Sequence, residues 1–166
     1  MPLYASVLIL IGLFLFARWF AGFGTGAPYL PVRRFDIEDA FELAPVGPQD
    51  VVVDLGCGDG RILEEAAKRG ASVIGYELNP FLVWYSRHRL RRFGDRVRIY
   101  RRNLLTADLS NATVVMIFQL DKIMPKIVAM LKQRARPDVR IISFAFDAIG
   151  LKEAAQKRIV KSYRLG

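Results

Sequence analysis

The chain has 166 residues, 52% of them hydrophobic, with 25 Lys and Arg against 16 Asp and Glu and a net charge of +9. That length suits one compact domain of ordinary size. A single cysteine, Cys57, excludes an intrachain disulfide framework, and the basic balance favours an anionic neighbour such as lipid head groups, nucleic acid or an acidic protein.

The first element is an oily run over residues 3–23 that carries one charge, Arg18. A helix of that length reaches roughly 30 Å, the thickness of a bilayer core. No Lys or Arg precedes Arg18, and bulky Trp19, Phe20 and Phe23 continue the run, which speaks against a cleaved signal peptide. The expectation is a single-pass transmembrane anchor and linker over 1–26 and a folded domain over 27–166. Arg33 and Arg34 behind the run place that domain on the cytoplasmic side.

The Gly- and Pro-rich stretch "GFGTGAPYLPVRR" reads as a linker with a turn. Ile37, Ala40, Phe41 and Ala44 then recur at helical spacing, with Asp36 as a candidate cap. Residues 51–55 are a short apolar run, a buried strand. A helix over 61–69 puts Ile62, Leu63, Ala66 and Ala67 on one face and stops at Gly70. A strand at 72–76 follows, then a helix over 80–93 with Asn79 as cap and Pro80 in the first turn. Strands at 97–100 and 113–118, a helix at 124–132 and a strand at 139–146 complete the alternation, and residues 159–163 offer a sixth strand. Alternating strands and helices with apolar strands imply a parallel sheet covered on both faces. Only 20 residues follow the fifth strand, so the sheet is expected to be small.

The stretch "VVVDLGCGDG", residues 51–60, leaves a strand and opens a helix. Gly56, Gly58 and Gly60 let the backbone bend tightly and let a ligand lie against it. Helix-terminal amides point toward that ligand, and Asp54 ends the strand on the side where open α/β sheets bind. The spacing is not the dinucleotide G-x-G-x-x-G, whose third glycine would fall on Arg61. Asp54 and Asp59 would repel a pyrophosphate and suit a positively charged ligand. S-adenosylmethionine carries an amino group and a sulfonium and no phosphate. Glu77, ending the second strand, can accept hydrogen bonds from both ribose hydroxyls.

"VVVDLGCGDG" together with "GYELNP" resembles the class I S-adenosylmethionine-dependent methyltransferases. The longer stretch "GDGRILEEAAKRG…VIGYELNPFLVWYSRHRLRR" is similar to the membrane-anchored protein-lysine methyltransferases of adenine nucleotide translocase and the ATP synthase c-subunit, with their prokaryotic relatives. "PYLP" is similar to that family's P-aromatic-x-P segment, and the close resemblance runs over about residues 27–103. It implies a Rossmann-like class I methyltransferase sheet behind an N-terminal helix, S-adenosylmethionine as cofactor, and N-methylation of a lysine on a protein substrate. By that resemblance Asp54, Gly56, Gly58 and Gly60 line the methionine end of the cofactor and Glu77 holds the ribose. Asn103 falls where the family has an acid near the adenine amino group. The full cofactor set adds Cys57, Asp59, Leu78, Asn79, Leu104 and Phe118. The family's last antiparallel strand has no visible counterpart, so a shortened sheet is expected. Either the fifth and sixth strands pair directly, or a second copy covers the exposed edge in a homo-oligomer.

Methyl transfer to an amine is an in-line displacement in which the enzyme mainly positions the pair and excludes water. Desolvation lowers an ammonium pKa, so no dedicated base is required. Tyr29 in "PYLP" and Gln119 after the fourth strand are the catalytic-pocket candidates. No metal-ligand set is read. His88, the one histidine, sits in "SRHRLRR" and reads as a surface or packing residue. Residues 87–102 hold eight arginines against one acid, Asp95, a cluster suited to anionic lipid, to an acidic partner or nucleic acid, or to plain solvation. Phe81, Trp84 and Tyr85 are expected to pack in the core or the cofactor pocket rather than form a base-stacking surface. The place after the fourth strand reads "IFQLDK" and lacks the "NPPY"-like motif of amino-methylating nucleic-acid enzymes, so no nucleic-acid partner is expected. The rival readings are a methyltransferase for a lipid or membrane-associated small molecule, and a cofactor-binding module without turnover.

Overall fold

A computed structural model describes residues 3–20 and 30–165 of the chain. It divides into two units, Met1–Leu30 and Pro31–Gly166. The boundary expected at 26/27, like Tyr29, lies outside the described residues.

Among the described residues the first unit contains one helix, α1, Leu3–Phe20. Leu8, Leu10, Leu13 and Phe14 are among its exposed side chains. Among the described residues no helix is long and apolar enough to cross a membrane. The 21-residue oily run implies a full span, but the helix has 18 residues. Residues 21–23 of that run lie outside the described residues.

The second unit is built on strands β1 (Val51–Leu55), β2 (Ser72–Glu77), β3 (Val97–Arg101), β4 (Val114–Ile117), β5 (Arg140–Phe144), β6 (Lys152–Lys157) and β7 (Val160–Arg164). They form one sheet in the order β3-β2-β1-β4-β5-β7-β6. The first five are parallel, while β7 runs antiparallel to both β5 and β6. Helices α2 (Arg34–Leu43), α3 (Arg61–Lys68), α4 (Pro80–Leu90) and α5 (Met124–Arg134) pack on it.

The strand alternation sorts the core into two layers. Val52, Val73, Ile99, Met116 and Ile142 face the apolar sides of α2, α3 and α4. Val53, Leu55, Val115, Ile117 and Ile141 face Ile127, Val128 and Leu131 of α5. Each parallel crossover carries a helix except the one from β3 to β4, which has only a 3-10 turn at Leu104–Thr106.

The sheet therefore has seven strands, and the shortened sheet expected from the sequence is corrected. The fifth strand and the strand read at 159–163 do pair directly. The additional strand is β6, "KEAAQK", which forms a hairpin with β7. Its side chains are almost all exposed and show no apolar alternation, so the sequence carries no strand signal there. The hairpin tip is held against α2, where Arg158 Nη2 donates to buried Asp39 at 2.9 Å and Lys157 joins the same carboxylate at 3.1 Å. Two smaller readings also change. Helix α2 starts at Arg34, so Asp36 lies buried in its first turn and caps nothing. Helix α4 ends at Leu90, and residues 91–96 continue as 3-10 turns broken at Gly94, where φ is 59°.

Candidate cofactor and active site

The bend between β1 and α3 needs its glycines. Gly56, Gly58 and Gly60 have φ values of 96°, 54° and 80°, the left-handed region that side chains disfavour. The bend is then tied to the end of β2. Gly56 and Cys57 both donate to the Tyr76 carbonyl, at 2.9 and 3.0 Å. Gly58 N–H donates to Glu77 Oε2 at 3.0 Å. The other Glu77 oxygen accepts from Leu78 and Asn79, each at 2.8 Å. Three backbone amides thus fix the carboxylate, and Oε2 retains capacity for a hydroxyl donor. Asn79 caps α4 by accepting from Phe81 and Leu82, with Pro80 in the first turn.

Three carboxylates converge on this bend, and their surroundings differ. Asp59 is nearly buried, but Arg61 Nη2 lies 2.9 Å and Arg89 Nη2 3.1 Å from its Oδ2. Burial raises its pKa, yet the hydrogen bonds and charge of Arg61, with the charge of Arg89, bring it below the ordinary carboxylate value. Its negative charge is consumed inside the protein. Asp54 is buried without such partners, and its Oδ2 has no hydrogen-bond partner. Burial, then the charges of Glu77 and Asp59, push its pKa up to about 8. A buried acceptor left unmatched is costly, and a cationic ligand relieves that cost. The residues present therefore fit a cofactor that carries positive charge and no phosphate. The buried Cys57 thiol is pushed well up by burial and by the charges of Asp54 and Glu77, so it is not poised as a nucleophile.

Gln119 belongs to the same place. Its Nε2 donates to the Leu55 carbonyl at 3.0 Å. It lies so close over the bend that a Cβ on Gly56 would sit 2.1 Å from it. Phe118, one residue earlier, packs 6.2 Å from the rings of Phe144 and Phe146. Phe146 follows Ala145, which holds φ at 64°, a strained bend at the end of β5. Phe144, Phe146 and this bend carry no functional signal in the sequence, where "SFAF" reads as ordinary strand. Asn103 and Leu104 stand at the end of β3. The Asn103 side-chain oxygen accepts from Leu105 N–H at 3.0 Å, capping the 3-10 turn, and the residue is exposed. The Asn103 amide group keeps its donors.

In the aromatic band on α4, core packing is corrected for Trp84 and Tyr85, while Phe81 is half-buried. Trp84 is 61% and Tyr85 38% exposed, while Val83, Ser86 and Leu90 take the buried face. His88 is exposed and stacks on Trp84, with ring centroids 6.0 Å apart. Among the described residues no cluster of His, Cys, Asp and Glu could hold a metal.

A slot for positive charge beside a bare peptide bend, under a sheet of this order, defines the class I S-adenosylmethionine-dependent methyltransferases. Within that class the chain belongs to the ANTKMT methyltransferase domain family, whose model matches residues 54–155. It is 36% identical over 121 residues to the lysine N-methyltransferase of the ATP synthase c-subunit from Xenopus laevis, covering 72% of this chain and 53% of that protein. Identity to the protein-lysine N-methyltransferase of Saccharolobus islandicus is 32% over 127 residues, 74% of this chain and 79% of that one. Among solved structures, the RNA methyltransferase from Salinibacter ruber in complex with S-adenosyl-L-homocysteine superposes with a TM-score of 0.73. That pair is 32% identical, over 81% of this chain and 92% of that one. The chain spans about half the length of the ATP synthase c-subunit methyltransferases it matches.

Proposed function

We propose that this protein is an S-adenosylmethionine-dependent protein-lysine N-methyltransferase working on a membrane-associated protein. The observation that carries the reading is the buried Asp54 carboxyl beside the glycine bend, whose Oδ2 has no hydrogen-bond partner. The names of the Xenopus laevis and Saccharolobus islandicus relatives support lysine as acceptor. The exposed apolar side chains of α1 support attachment to a membrane, in its interface or through it, and Arg33 and Arg34 behind it support a domain on the cytoplasmic side.

When bound, the cofactor supplies an electrophilic methyl group on a sulfonium. Asp54 holds its positive end, the carboxylate of Glu77 takes the ribose, and Asn103 and Leu104 border the adenine. Gly56, Gly58 and Gly60 allow the backbone to lie against it. With its Nε2 held by the Leu55 carbonyl, Gln119 offers its side-chain oxygen as acceptor for an N–H of the incoming amine, orienting the amine lone pair. Phe118 and Phe146 exclude water beside it, which favours the neutral amine. Bulk water takes the proton. Asp59 acts indirectly, by fixing Arg61 and Arg89 around the bend. Tyr29 remains a candidate for the acceptor side.

A second acceptor class is RNA, favoured by the likeness to the Salinibacter ruber chain. Incubating the full chain with methyl-labelled cofactor and a membrane extract separates the readings. Label in a protein band, recovered as methyl-lysine, is the expected result. Label in RNA or in the organic extract moves the acceptor to a base or a lipid. Cofactor binding without any transfer leaves a binding module.

A further inference from the structure

The arginine cluster over residues 87–102 divides in two. Arg87 Nη2 donates to the Ile99 carbonyl at 2.7 Å and covers the free edge of β3. Arg89 and Arg92 pair with Glu64, Arg96 donates to the Ala67 carbonyl, and Arg101 reaches the Leu78 carbonyl. These five are structural. Among the described residues Arg91, Arg98 and Arg102 have neither a carboxylate nor a carbonyl partner. Two of those three, Arg98 and Arg102, line one cavity of about 380 Å³.

That cavity exists because the β3-to-β4 crossover lacks a helix. Its floor is the sheet itself, at Tyr76 of β2 and Tyr100 of β3, whose rings lie 5.6 Å apart. Arg98, Tyr100 and Arg102 alternate along β3 and its exit, so all three project from the same face. Arg102 leans over the Tyr100 ring at 5.7 Å. The Tyr76 hydroxyl accepts the Asp108 amide at 3.0 Å and keeps its proton to donate. One acid, Asp108, also borders the cavity, its Oδ1 accepting the amide and the hydroxyl of Ser110 at 3.0 and 2.7 Å, so the lining carries two positive charges against one negative. The remaining polar group is the Asn111 amide. Two guanidinium groups without a carboxylate or carbonyl partner, tyrosine hydroxyls and an amide in a recess of this size make a donor-rich anion site.

We propose that the cavity under the β3-to-β4 crossover, between Arg98 and Arg102, binds a phosphate-bearing ligand, either a soluble phosphate ester or a phospholipid head group. A phosphate oxygen set accepts from both guanidinium groups, and the tyrosines border the organic part. The site lies on the α5 side of the sheet, while Asp54 and the glycine bend face the opposite layer or its end. It is therefore separate from the methyl-transfer site, and its failure would leave the methyltransferase reading standing.

The test is calorimetric titration of the full chain, in non-ionic detergent and phosphate-free buffer at matched ionic strength. The probes are inorganic phosphate, glycerol 3-phosphate and a short-chain phosphatidylglycerol below its micelle concentration. Saturable binding is expected, weakened about tenfold by Arg98→Gln and by Arg102→Gln, as loss of a charged hydrogen bond implies. Arg91→Gln, which removes the unpaired arginine outside the cavity, is expected to change nothing, and all three variants are expected to keep cofactor affinity. Tighter binding of the phosphatidylglycerol assigns the site to a lipid, and equal binding of all three assigns it to soluble phosphate. Absence of saturable binding, or equal weakening by Arg91→Gln, overturns the proposal.

Discussion

The two halves of the sheet are built on different principles. From β1 to β3 the functional geometry is made by backbone: three left-handed glycines, two amides on one carbonyl, three amides on one carboxylate. From β4 to β6 it is made by side chains, with Gln119, Phe118 and Phe146 around a strained Ala145. A backbone-built site recognises a ligand that is constant across a class. A side-chain site can be changed residue by residue, which under the proposed function suits the acceptor, the part that varies.

The strongest test of the first half is steric. A Cβ on Gly75 would lie 2.6 Å from Cys57 Sγ and 2.8 Å from Ile99 and Leu63. Gly75→Ala is expected to destabilise the fold by about 3 kcal/mol, read from the denaturation midpoint. A neutral result would mean the bend and β2 have slack. Glu77→Ala removes the acceptor for three amides and is expected to weaken cofactor binding by about 1–3 kcal/mol in calorimetry. Unchanged affinity would move the ribose elsewhere.

Asp54 gives a pH signature. Its folded pKa is raised from 3.8 to about 8. Over that window the folded chain holds a proton that the unfolded chain has lost. Stability of the cofactor-free protein therefore falls as pH rises from about 4 to about 8 and levels off above. A cationic ligand draws that proton off, so cofactor affinity is expected to rise by up to about tenfold per pH unit below 8. Asp54→Asn is expected to flatten both dependences. A pH profile identical in wild type and variant would remove Asp54 from the cation slot.

The smallest effect on cofactor binding belongs to the second half. Gln119→Ala is expected to change affinity by less than about 1 kcal/mol, the worth of one neutral hydrogen bond, while methyl transfer falls. Equal loss of both would merge the two halves into one functional unit.

The same division governs what the sequence made legible. The bend, Glu77 and the Asn79–Pro80 cap each require particular residue types, so they stand out in the chain. Helix α3 stands out because its four buried residues share one face. Strand β6 does not, because an edge strand held by backbone pairing asks nothing of its exposed side chains. Its turn is equally silent, since Arg158 takes φ of 52° where glycine or asparagine would have signalled a hairpin. The aromatic band misleads for a third reason. Phe81, Trp84 and Tyr85 have helical spacing, but Val83, Ser86 and Leu90 offer a competing stripe, and packing chose that one. The oily N-terminal run was legible as a helix, and 18 of its residues, Leu3–Phe20, form one.

Arg158 at the tip of the last hairpin grips Asp39 in the first helix of the folded domain. The domain is thereby closed into a loop, with its earliest and latest elements sharing one latch. Amide hydrogens in α2 and in β6–β7 are expected to exchange with solvent through a common opening event, at matching rates, despite lying more than a hundred positions apart along the chain. A clip at either end would loosen both.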